Sequence, residues 1–257
     1  ALTDDGMADN APLLELISRY INAEFLTRVA REYQEKGRLL LIGTSNLDAR
    51  RPVIWNMGAI ASSADPRALA LFRKVMLASA AIPGAFPPVM IDVEVNGKPY
   101  QEMHVDGGTQ AQVFLYPPRL FDLIRQQGVK LAPRERSVYI IRNARLDPNW
   151  ADVERNTLTI AGRAISSLIQ TQGVGDLYRI YLTAQHDGLD YNLAYIGADF
   201  NAEHKEDFDT VYMKALFEYG YQLARQGYQW QKAPPGLAVA KTPDATATST
   251  ASKRKPK

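Results

Sequence analysis

Residues 89–108 read VMIDVEVNGKPYQEMHVDGG and carry the clearest strand signals of the chain. Two short runs, Val89–Val95 and Tyr100–Val105, flank the pair Asn96-Gly97. This pair is the one most typical of a two-residue hairpin turn, because both residues tolerate a positive φ. The stretch therefore predicts an antiparallel hairpin that ends where two consecutive glycines let the chain turn sharply.

Upstream of the hairpin, Ile82–Pro88 is rich in proline and glycine and predicts a loop. Before it, Asp65-Pro66 predicts the cap and first turn of a helix. The run Leu39–Ile42 is short and continuously apolar, which is typical of a strand buried on both faces, and Val53–Met57 is expected to extend or pair with it. Apolar residues at every fourth position predict one helix from Pro12 to Gly37: Leu13, Ile17, Ile21, Phe25, Val29 and Tyr33.

Downstream of the hairpin, helical and strand patterns alternate. Gly173 and Gly175 interrupt the longest helical pattern and predict a kink there. Alternating helices and apolar strands indicate an α/β layered fold. The predicted strands are Val138–Ile141 and Tyr191–Ile196, and the predicted helices lie near Arg119–Gln127, from Asp152 to His186 and at Val211–Arg225.

The composition is that of an ordinary globular protein, since 46% of the 257 residues are hydrophobic and 23% are charged. No apolar run approaches the roughly 18 residues that a membrane-spanning helix needs. The chain has no cysteine. Disulfides, thiolate zinc sites, iron–sulfur clusters and a cysteine nucleophile are therefore excluded.

The charge of the chain is unevenly distributed. Residues 233–257 carry five basic side chains and one acidic one in a segment rich in Pro, Ala, Thr and Ser, which predicts a disordered basic tail behind a single domain at 1–232. The domain itself is close to neutral and lacks the basic surface that nucleic-acid binding requires. We therefore expect no nucleic-acid partner.

Asp106-Gly107-Gly108 is the first candidate for chemistry. A carboxylate at a strand end, followed by residues that can take a positive φ, is well placed to act as a general base. The simpler interpretation is an Asx-type turn, and the three residues taken alone favour it. His104 shares the strand face of Asp106 and could assist it, but a packed or surface role without chemistry is the more common one.

A serine nucleophile is harder to find. Gly43-Thr44-Ser45-Asn46-Leu47 matches only the first three positions of the G-x-S-x-G elbow, because Leu47 stands where the second glycine belongs. We expect Ser45 to be structural. A hydrolase that uses Ser45 with His104 stays open as an alternative. No pair of the three histidines has metal-site spacing, so no metal is expected.

Several of these segments together resemble the patatin-like phospholipases of bacteria. The resemblance runs from about Asn10 to Trp230, and its most specific part is a Ser-Ala-Ala-x-Pro-x-x-Phe-Pro-Pro loop followed by a hairpin and Asp-Gly-Gly. The segments that carry it are Ala78–Val89, Val105–Gly108, Arg38–Asp48, Asn56–Ala61 and Tyr219–Tyr221.

The resemblance implies a layered fold related to the α/β-hydrolases, with a mixed sheet flanked by helices, and hydrolysis of lipid acyl esters. This family uses a Ser–Asp dyad and no cofactor. On that pattern Asp106 is the general base that takes the serine proton, and Gly107 and Gly108 complete its turn. Four residues of the proline-rich loop would line the acyl pocket: Ile82, Pro83, Phe86 and Pro87.

The sequence departs from the family in one respect. The glycine-rich oxyanion loop and the serine elbow of the family lie upstream of the region that this chain matches. We therefore expect the N-terminal nucleophile half to be a partner of this chain, which begins at Ala1, and the chain alone to be inactive. Without the upstream strands, Leu39–Ile42 would become an exposed sheet edge, so we expect the isolated chain to be poorly stable.

Two further expectations follow from the resemblance and from the tail. Bacterial proteins of this family are often exported or associated with the cell envelope. The alternative function is a catalytically inactive fragment that binds a lipid or a partner, with its basic tail contacting an anionic membrane surface.

Overall fold

The computed structural model describes residues 5–116, 135–147, 150, 152–203 and 208–237, and the helix predicted near Arg119–Gln127 lies outside them. The described residues fall into two compact units, one formed by 5–116, 150 and 152–180 and the other by 135–147, 181–203 and 208–237. The helices are α1 Ala11–Tyr20, α2 Ala23–Lys36, α3 Met57–Ala61, α4 Ala68–Ser79, α5 Thr157–Asp187 and α6 Thr210–Arg225. The strands are β1 Leu41–Asn46, β2 Arg51–Asn56, β3 Val89–Val95, β4 Lys98–Asp106, β5 Ser137–Arg145 and β6 Asp190–Ile196. The fold is mixed α/β, as the sequence predicted.

The first helical pattern forms two helices and not the single helix that was predicted. Asn22 takes an extended conformation and its side chain accepts a hydrogen bond from the backbone N–H of Phe25, 3.0 Å away. This N-cap starts α2 afresh, although the apolar spacing continues across the break. Gly37 ends α2 in the left-handed conformation, with φ 63°, as predicted.

The hairpin predicted at residues 89–105 is confirmed. β3 pairs antiparallel with β4, and Asn96 and Gly97 both have positive φ, which is the geometry of a type I′ turn. The hairpin belongs to a four-stranded sheet in the order β2-β1-β4-β3, in which all neighbours are antiparallel. The proline-rich stretch before it is a loop, as predicted.

The prediction for Leu39–Ile42 is wrong in two ways. Leu39 is 64% exposed and precedes β1, whose pairing with β2 starts only at Leu41. β1 lies between β2 and β4, so it is an inner strand and not an edge. The fully buried part of β1 is polar: Thr44, Ser45 and Asn46. Neighbouring strands and helices decide which part of a strand is buried, and the predicted instability loses its stated reason.

The core of the first unit lies under α4. Phe72 and Val75 of α4 are buried, as predicted, and they pack with Met57 and Ile91 in one hydrophobic cluster. The backbone N–H of Arg67 donates to Oδ1 of Asp65 at 2.8 Å just before α4 begins. The predicted cap at Asp65 and first helical residue at Pro66 are wrong, because the residue at the cap is Arg67 and the helix begins at Ala68; Asp65 forms a turn just before it.

α5 runs without interruption from Thr157 to Asp187, so Gly173 and Gly175 do not end the helix, and the kink expected there stays a prediction. Each glycine costs a helix only about 1 kcal/mol relative to alanine, which packing can offset. The helix also starts later than predicted, because the Asn156 side chain accepts from the backbone N–H of Thr159 at 2.9 Å. α6 occupies the predicted segment at 210–225.

In the second unit, β5 and β6 form a two-stranded parallel sheet, and both strands contain the segments predicted for them. Ala233 and Pro234, at the start of the predicted tail, are buried, and residues 238–257 lie outside the described part of the chain. No helix in the described residues is long and apolar enough to cross a membrane.

Candidate active site around Asp106

Asp106 is the last residue of β4 and begins a short 3-10 turn at Gly107–Thr109. Its backbone N–H donates to the carbonyl oxygen of Ala81 at 2.9 Å, which ties the strand end to the start of the proline-rich loop. Oδ1 of the carboxylate accepts the backbone N–H of Gly108 at 2.7 Å. The Asx-type turn of the simpler interpretation is therefore present, and it fixes the orientation of the carboxylate.

The second carboxylate oxygen of Asp106, Oδ2, is the atom available to accept a proton. Oδ2 has no hydrogen-bond partner within the described residues, and the side chain is only partly buried. Burial raises the pKa of the Asp106 carboxyl above its ordinary value, and the hydrogen bond from Gly108 opposes this effect. A fixed carboxylate with one open oxygen and a raised pKa is suited to accept a proton.

Gly107 lies directly against β1. A Cβ atom at Gly107 would stand 2.6 Å from the carbonyl oxygen of Gly43, so the position admits only glycine unless the backbone shifts. Gly43 is itself crowded, because a Cβ there would meet the ring of Phe114 at 3.0 Å. Two glycines therefore let the turn that carries Asp106 approach the middle of the sheet.

Ser45 is completely buried in β1, and its Oγ lies 3.5 Å from the carbonyl oxygen of Gly107, which is a weak hydrogen bond at best. No hydrogen bond joins Ser45 to His104 in the described residues; Nδ1 of His104 pairs with the Thr44 hydroxyl instead. A nucleophile needs an accessible hydroxyl and an adjacent base, and Ser45 has neither. The geometry therefore fits the structural role expected for Ser45 and does not support the alternative that pairs it with His104.

His104 belongs to a buried polar network that sequence reasoning did not foresee. Nε1 of Trp55 donates to Oγ1 of Thr44 at 2.8 Å, and the Thr44 hydroxyl lies 2.9 Å from Nδ1 of His104. Nε2 of His104 lies 3.2 Å from Oε2 of Glu102. Because the Glu102 carboxylate can only accept, the arrangement favours a ring proton on Nε2 and donation from the Thr44 hydroxyl to Nδ1. The packed role expected for His104 is confirmed.

The register of the sheet creates this network. Thr44 pairs with Asp106 and Asn46 with His104 across β1 and β4, and Thr44 pairs with Val53 across β1 and β2. Alternation along β4 places Glu102 and His104 on one face, which the sequence does indicate. The partners on other strands depend on register, which the sequence does not specify.

Asp176 is a second carboxylate that sequence reasoning missed. It is almost completely buried in α5, and its Oδ2 accepts the backbone N–H of Gln112 at 2.8 Å and that of Val113 at 3.3 Å. Its Oδ1 pairs with the guanidinium of Arg179. Asp176 thus anchors the segment that follows the glycine turn. Its position within a long helical pattern gave no sign of this role.

The proline-rich loop contains the four residues proposed for an acyl pocket. Phe86 packs, partly buried, against the hydrophobic core, while Ile82 and Pro83 are exposed. The side-chain amide of Asn10 donates to the carbonyl oxygen of Pro87 at 3.2 Å. The loop is therefore held by the N-terminal residues, and the assignment of an acyl pocket to it stays a prediction.

Two pockets lie among the described residues without Asp106 in their lining. One, of about 310 Å³, lies at the end of α2, beside the exposed Leu39 and Leu40. The other, of about 400 Å³, lies in the second unit beside Tyr219. Within the described ranges no three His, Asp or Glu side chains are close enough together to hold a metal ion.

No protein-family model matches the chain, and no curated protein matches it. The function of the site is therefore inferred from its geometry and from the sequence.

Proposed function

We propose that this chain is part of a lipid acyl hydrolase in which Asp106 is the general base of a Ser–Asp dyad and the nucleophilic serine lies upstream. The observation that carries the proposal is the Asp106 carboxylate, which is fixed through Oδ1 by the Gly108 N–H while Oδ2 has no partner among the described residues. The resemblance of the proline-rich loop and the Asp-Gly-Gly turn to patatin-like phospholipases supplies the reaction class.

The proposed reaction has two steps. In the first, the serine hydroxyl attacks the ester carbonyl while Asp106 accepts its proton, and the proton then passes to the leaving alcohol as the acyl-serine forms. In the second, Asp106 accepts a proton from water as the water attacks the acyl-serine, and the proton returns to the serine as the acid leaves. Backbone N–H groups of the upstream glycine-rich loop would stabilise the oxyanion, and the scheme requires neither a metal nor a cofactor.

The proposed patatin-like architecture has its own support in the second unit. A parallel sheet is normally covered on both faces, but β5 leaves Tyr139 and Ile141 60% and 78% exposed. These apolar side chains support the proposal that a further part of the domain, the nucleophile-bearing half, packs on this strand. Localisation at the bacterial cell envelope or outside the cell stays a prediction from the resemblance.

Labelling with a fluorophosphonate probe tests the proposal. The purified 257-residue chain should show no adduct by mass spectrometry and no hydrolysis of a p-nitrophenyl ester. Co-expressed with the segment encoded upstream, it should give an adduct on a serine of that segment and ester turnover. Asp106→Asn should abolish turnover and leave the fold intact, while Glu94→Gln, which changes an exposed acid in the same unit, should leave turnover unchanged.

Two results would contradict the proposal. An adduct on Ser45 or on any other serine of these 257 residues would place the nucleophile within the chain. Full turnover in the Asp106→Asn variant would remove Asp106 from the mechanism.

The alternative remains a catalytically inactive lipid- or partner-binding fragment. It predicts salt-sensitive binding to anionic vesicles that disappears when residues 241–257 are deleted, because basic residues near a membrane surface contribute about 1 kcal/mol each. Such binding without ester turnover by the co-expressed pair would favour this alternative.

A further inference from the structure

The second unit contains a pocket that the proposed hydrolase mechanism does not use. Its volume is about 400 Å³, within the range typical of small-molecule sites. Its lining combines phenol rings, side-chain amides and a carboxylate: Tyr195, Tyr219, Tyr228, Gln226, Gln229 and Asp199.

Contacts behind the pocket hold its aromatic walls in place. The Tyr219 ring lies 5.1 Å from the ring of Phe200, which is itself buried. The Tyr228 ring packs edge-on against Trp230 at 5.4 Å, and its hydroxyl oxygen accepts the backbone N–H of Tyr195 at 3.4 Å. A ligand would therefore meet preformed walls and would lose little binding energy in ordering them.

The described residues that line the pocket carry charge of one sign. Among them Asp199 is the only carboxylate, and none is a lysine, an arginine or a histidine. Arg145, which interacts with Asp199 from outside the pocket, forms its own ion pair with Asp147 at 2.5 Å. Burial and the hydrogen bond to Asp199 raise the pKa of the Tyr219 phenol, so this phenol adds no negative charge of its own to the pocket.

The carboxylate is also oriented. The Tyr219 hydroxyl donates to Oδ1 of Asp199 at 2.7 Å, whereas Oδ2 has no hydrogen-bond partner in the part of the chain that the structure describes. Gly197 makes room for this pair, since a Cβ there would lie 2.8 Å from the Tyr219 hydroxyl oxygen and closer still to Asp199. An exposed carboxylate with one open oxygen thus lies in the pocket lining beside the Tyr219 side chain.

We propose that this pocket binds an organic cation of the quaternary ammonium class, with the trimethylammonium group between the tyrosine rings and the Asp199 carboxylate. Aromatic faces attract such cations through the ring quadrupole, and the opposite charge of the carboxylate adds to this attraction. A single carboxylate is too poor a ligand set for Mg²⁺ or Ca²⁺, which take about six or more oxygen ligands. The proposal does not depend on the hydrolase function.

Calorimetric titration of the 257-residue chain with choline tests the proposal. The matched ligand is 3,3-dimethylbutanol, which has the same shape and no charge. Choline should bind at least about tenfold more tightly, because both the rings and the carboxylate discriminate by charge. Equal affinity for the two ligands, or no saturable binding of choline, would overturn the proposal.

Two substitutions locate the site. Asp199→Asn keeps the acceptor for the Tyr219 hydroxyl and removes the charge, so it should weaken choline binding about tenfold and leave dimethylbutanol binding unchanged. Glu203→Gln removes the same charge from an exposed residue that does not line the pocket, and it should bind choline like the unmodified chain. Circular dichroism establishes that each variant is folded. If both variants weaken binding equally, the effect is one of net charge and the site assignment is wrong.

The same cation exists free and as the headgroup of a lipid, and sedimentation with vesicles distinguishes the two. Retention on phosphatidylcholine vesicles but not on phosphatidylglycerol vesicles, with release by free choline, would assign the site to the headgroup. Choline binding without retention would assign it to a soluble cation. Binding of an uncharged sugar with higher affinity than choline would overturn the proposal, since the charge would then carry no selectivity.

Discussion

The backbone of Gly107 touches that of Gly43, so closely that a Cβ on Gly107 would lie 2.6 Å from the carbonyl oxygen of Gly43. This approach presses the turn that carries Asp106 against the inner strand β1. The orientation of the Asp106 carboxylate therefore depends on a residue that has no side chain. Four predictions follow, three from this part of the first unit and one from a buried phenol of the second unit.

Gly107→Ala should destabilise the chain by about 1–3 kcal/mol, because the added methyl group forces the backbone of β1 or of the turn to move. The matched control is Gly175→Ala on the exposed side of α5, where a Cβ meets nothing within 4 Å. That change should stabilise the chain by up to about 1 kcal/mol, since alanine is the better helix former. Denaturant unfolding measures both, and a Gly107→Ala variant as stable as the parent would contradict the close contact.

Asp106→Asn should make the chain more stable near neutral pH. Burial raises the pKa of the Asp106 carboxyl, so the folded state holds this proton to a higher pH than the unfolded state does. The corresponding stability is present below the usual aspartate pKa of about 3.9 and is lost as the pH rises through the raised folded pKa. Asparagine keeps the acceptor for Gly108 and never ionises. Its advantage should shrink as the pH is lowered from about 7 to about 4.

Asp190 provides the control of opposite sign for that experiment. Hydrogen bonds from the Lys232 ammonium and from Asn192 lower the pKa of its carboxyl. Its stabilising contribution is present above the usual aspartate pKa and is lost as the pH falls. Asp190→Asn should therefore be destabilising at neutral pH and less so in acid. Identical pH profiles for the two variants would mean that the pKa of Asp106 is not raised.

Thr44→Val should destabilise the chain by about 1–3 kcal/mol, because it leaves the partly buried Trp55 N–H and the buried Nδ1 of His104 without their shared partner. Thr27→Val, at an exposed position of α2, is the matched control and should change stability by no more than about 0.5 kcal/mol. Thermal or denaturant unfolding gives both values. If the two variants are equally stable, the network contributes nothing measurable.

Tyr191→Phe should stabilise the chain by about 1 kcal/mol, because the Tyr191 hydroxyl is buried and has no hydrogen-bond partner among the described residues. Burial also raises the pKa of this phenol to about 12. The folded state therefore keeps its proton while the unfolded state loses it, and stability should fall between about pH 10 and about pH 12.

The phenylalanine variant should lack the part of that alkaline loss that belongs to Tyr191. Tyr100→Phe is the matched control, because the Tyr100 side chain is 52% exposed and should affect neither quantity. Unfolding measured at neutral pH reports the cost of the unpaired hydroxyl, and unfolding at about pH 10.5 adds the effect of its ionisation. A variant that is less stable than the parent would show that the Tyr191 hydroxyl has a partner after all.

The features predicted from the sequence depend on neighbours along the chain. The Asn96-Gly97 turn needs two positive φ values, and Gly37 ends a helix in the left-handed conformation. Both features can therefore be predicted from a few consecutive residues. The break at Asn22 was missed because a continuous apolar spacing outweighed a single capping residue. Gly173 and Gly175 lie within a helix that continues past both of them, since a long helix tolerates two glycines.

The candidate site likewise has features that the sequence predicted and contacts that only the tertiary structure revealed. The sequence by itself identified Asp106 and its glycines as a sharp turn with a carboxylate at a strand end, because the conformational freedom of glycine is a local property. Only the tertiary structure decided that Gly107 contacts Gly43, that Thr44 joins Trp55 to His104, and that Asp176 anchors the segment after the turn. These contacts join residues from about 11 to more than 60 positions apart. Strand register and burial bring them together, and both are properties of the whole packed chain, which no local pattern of residues encodes.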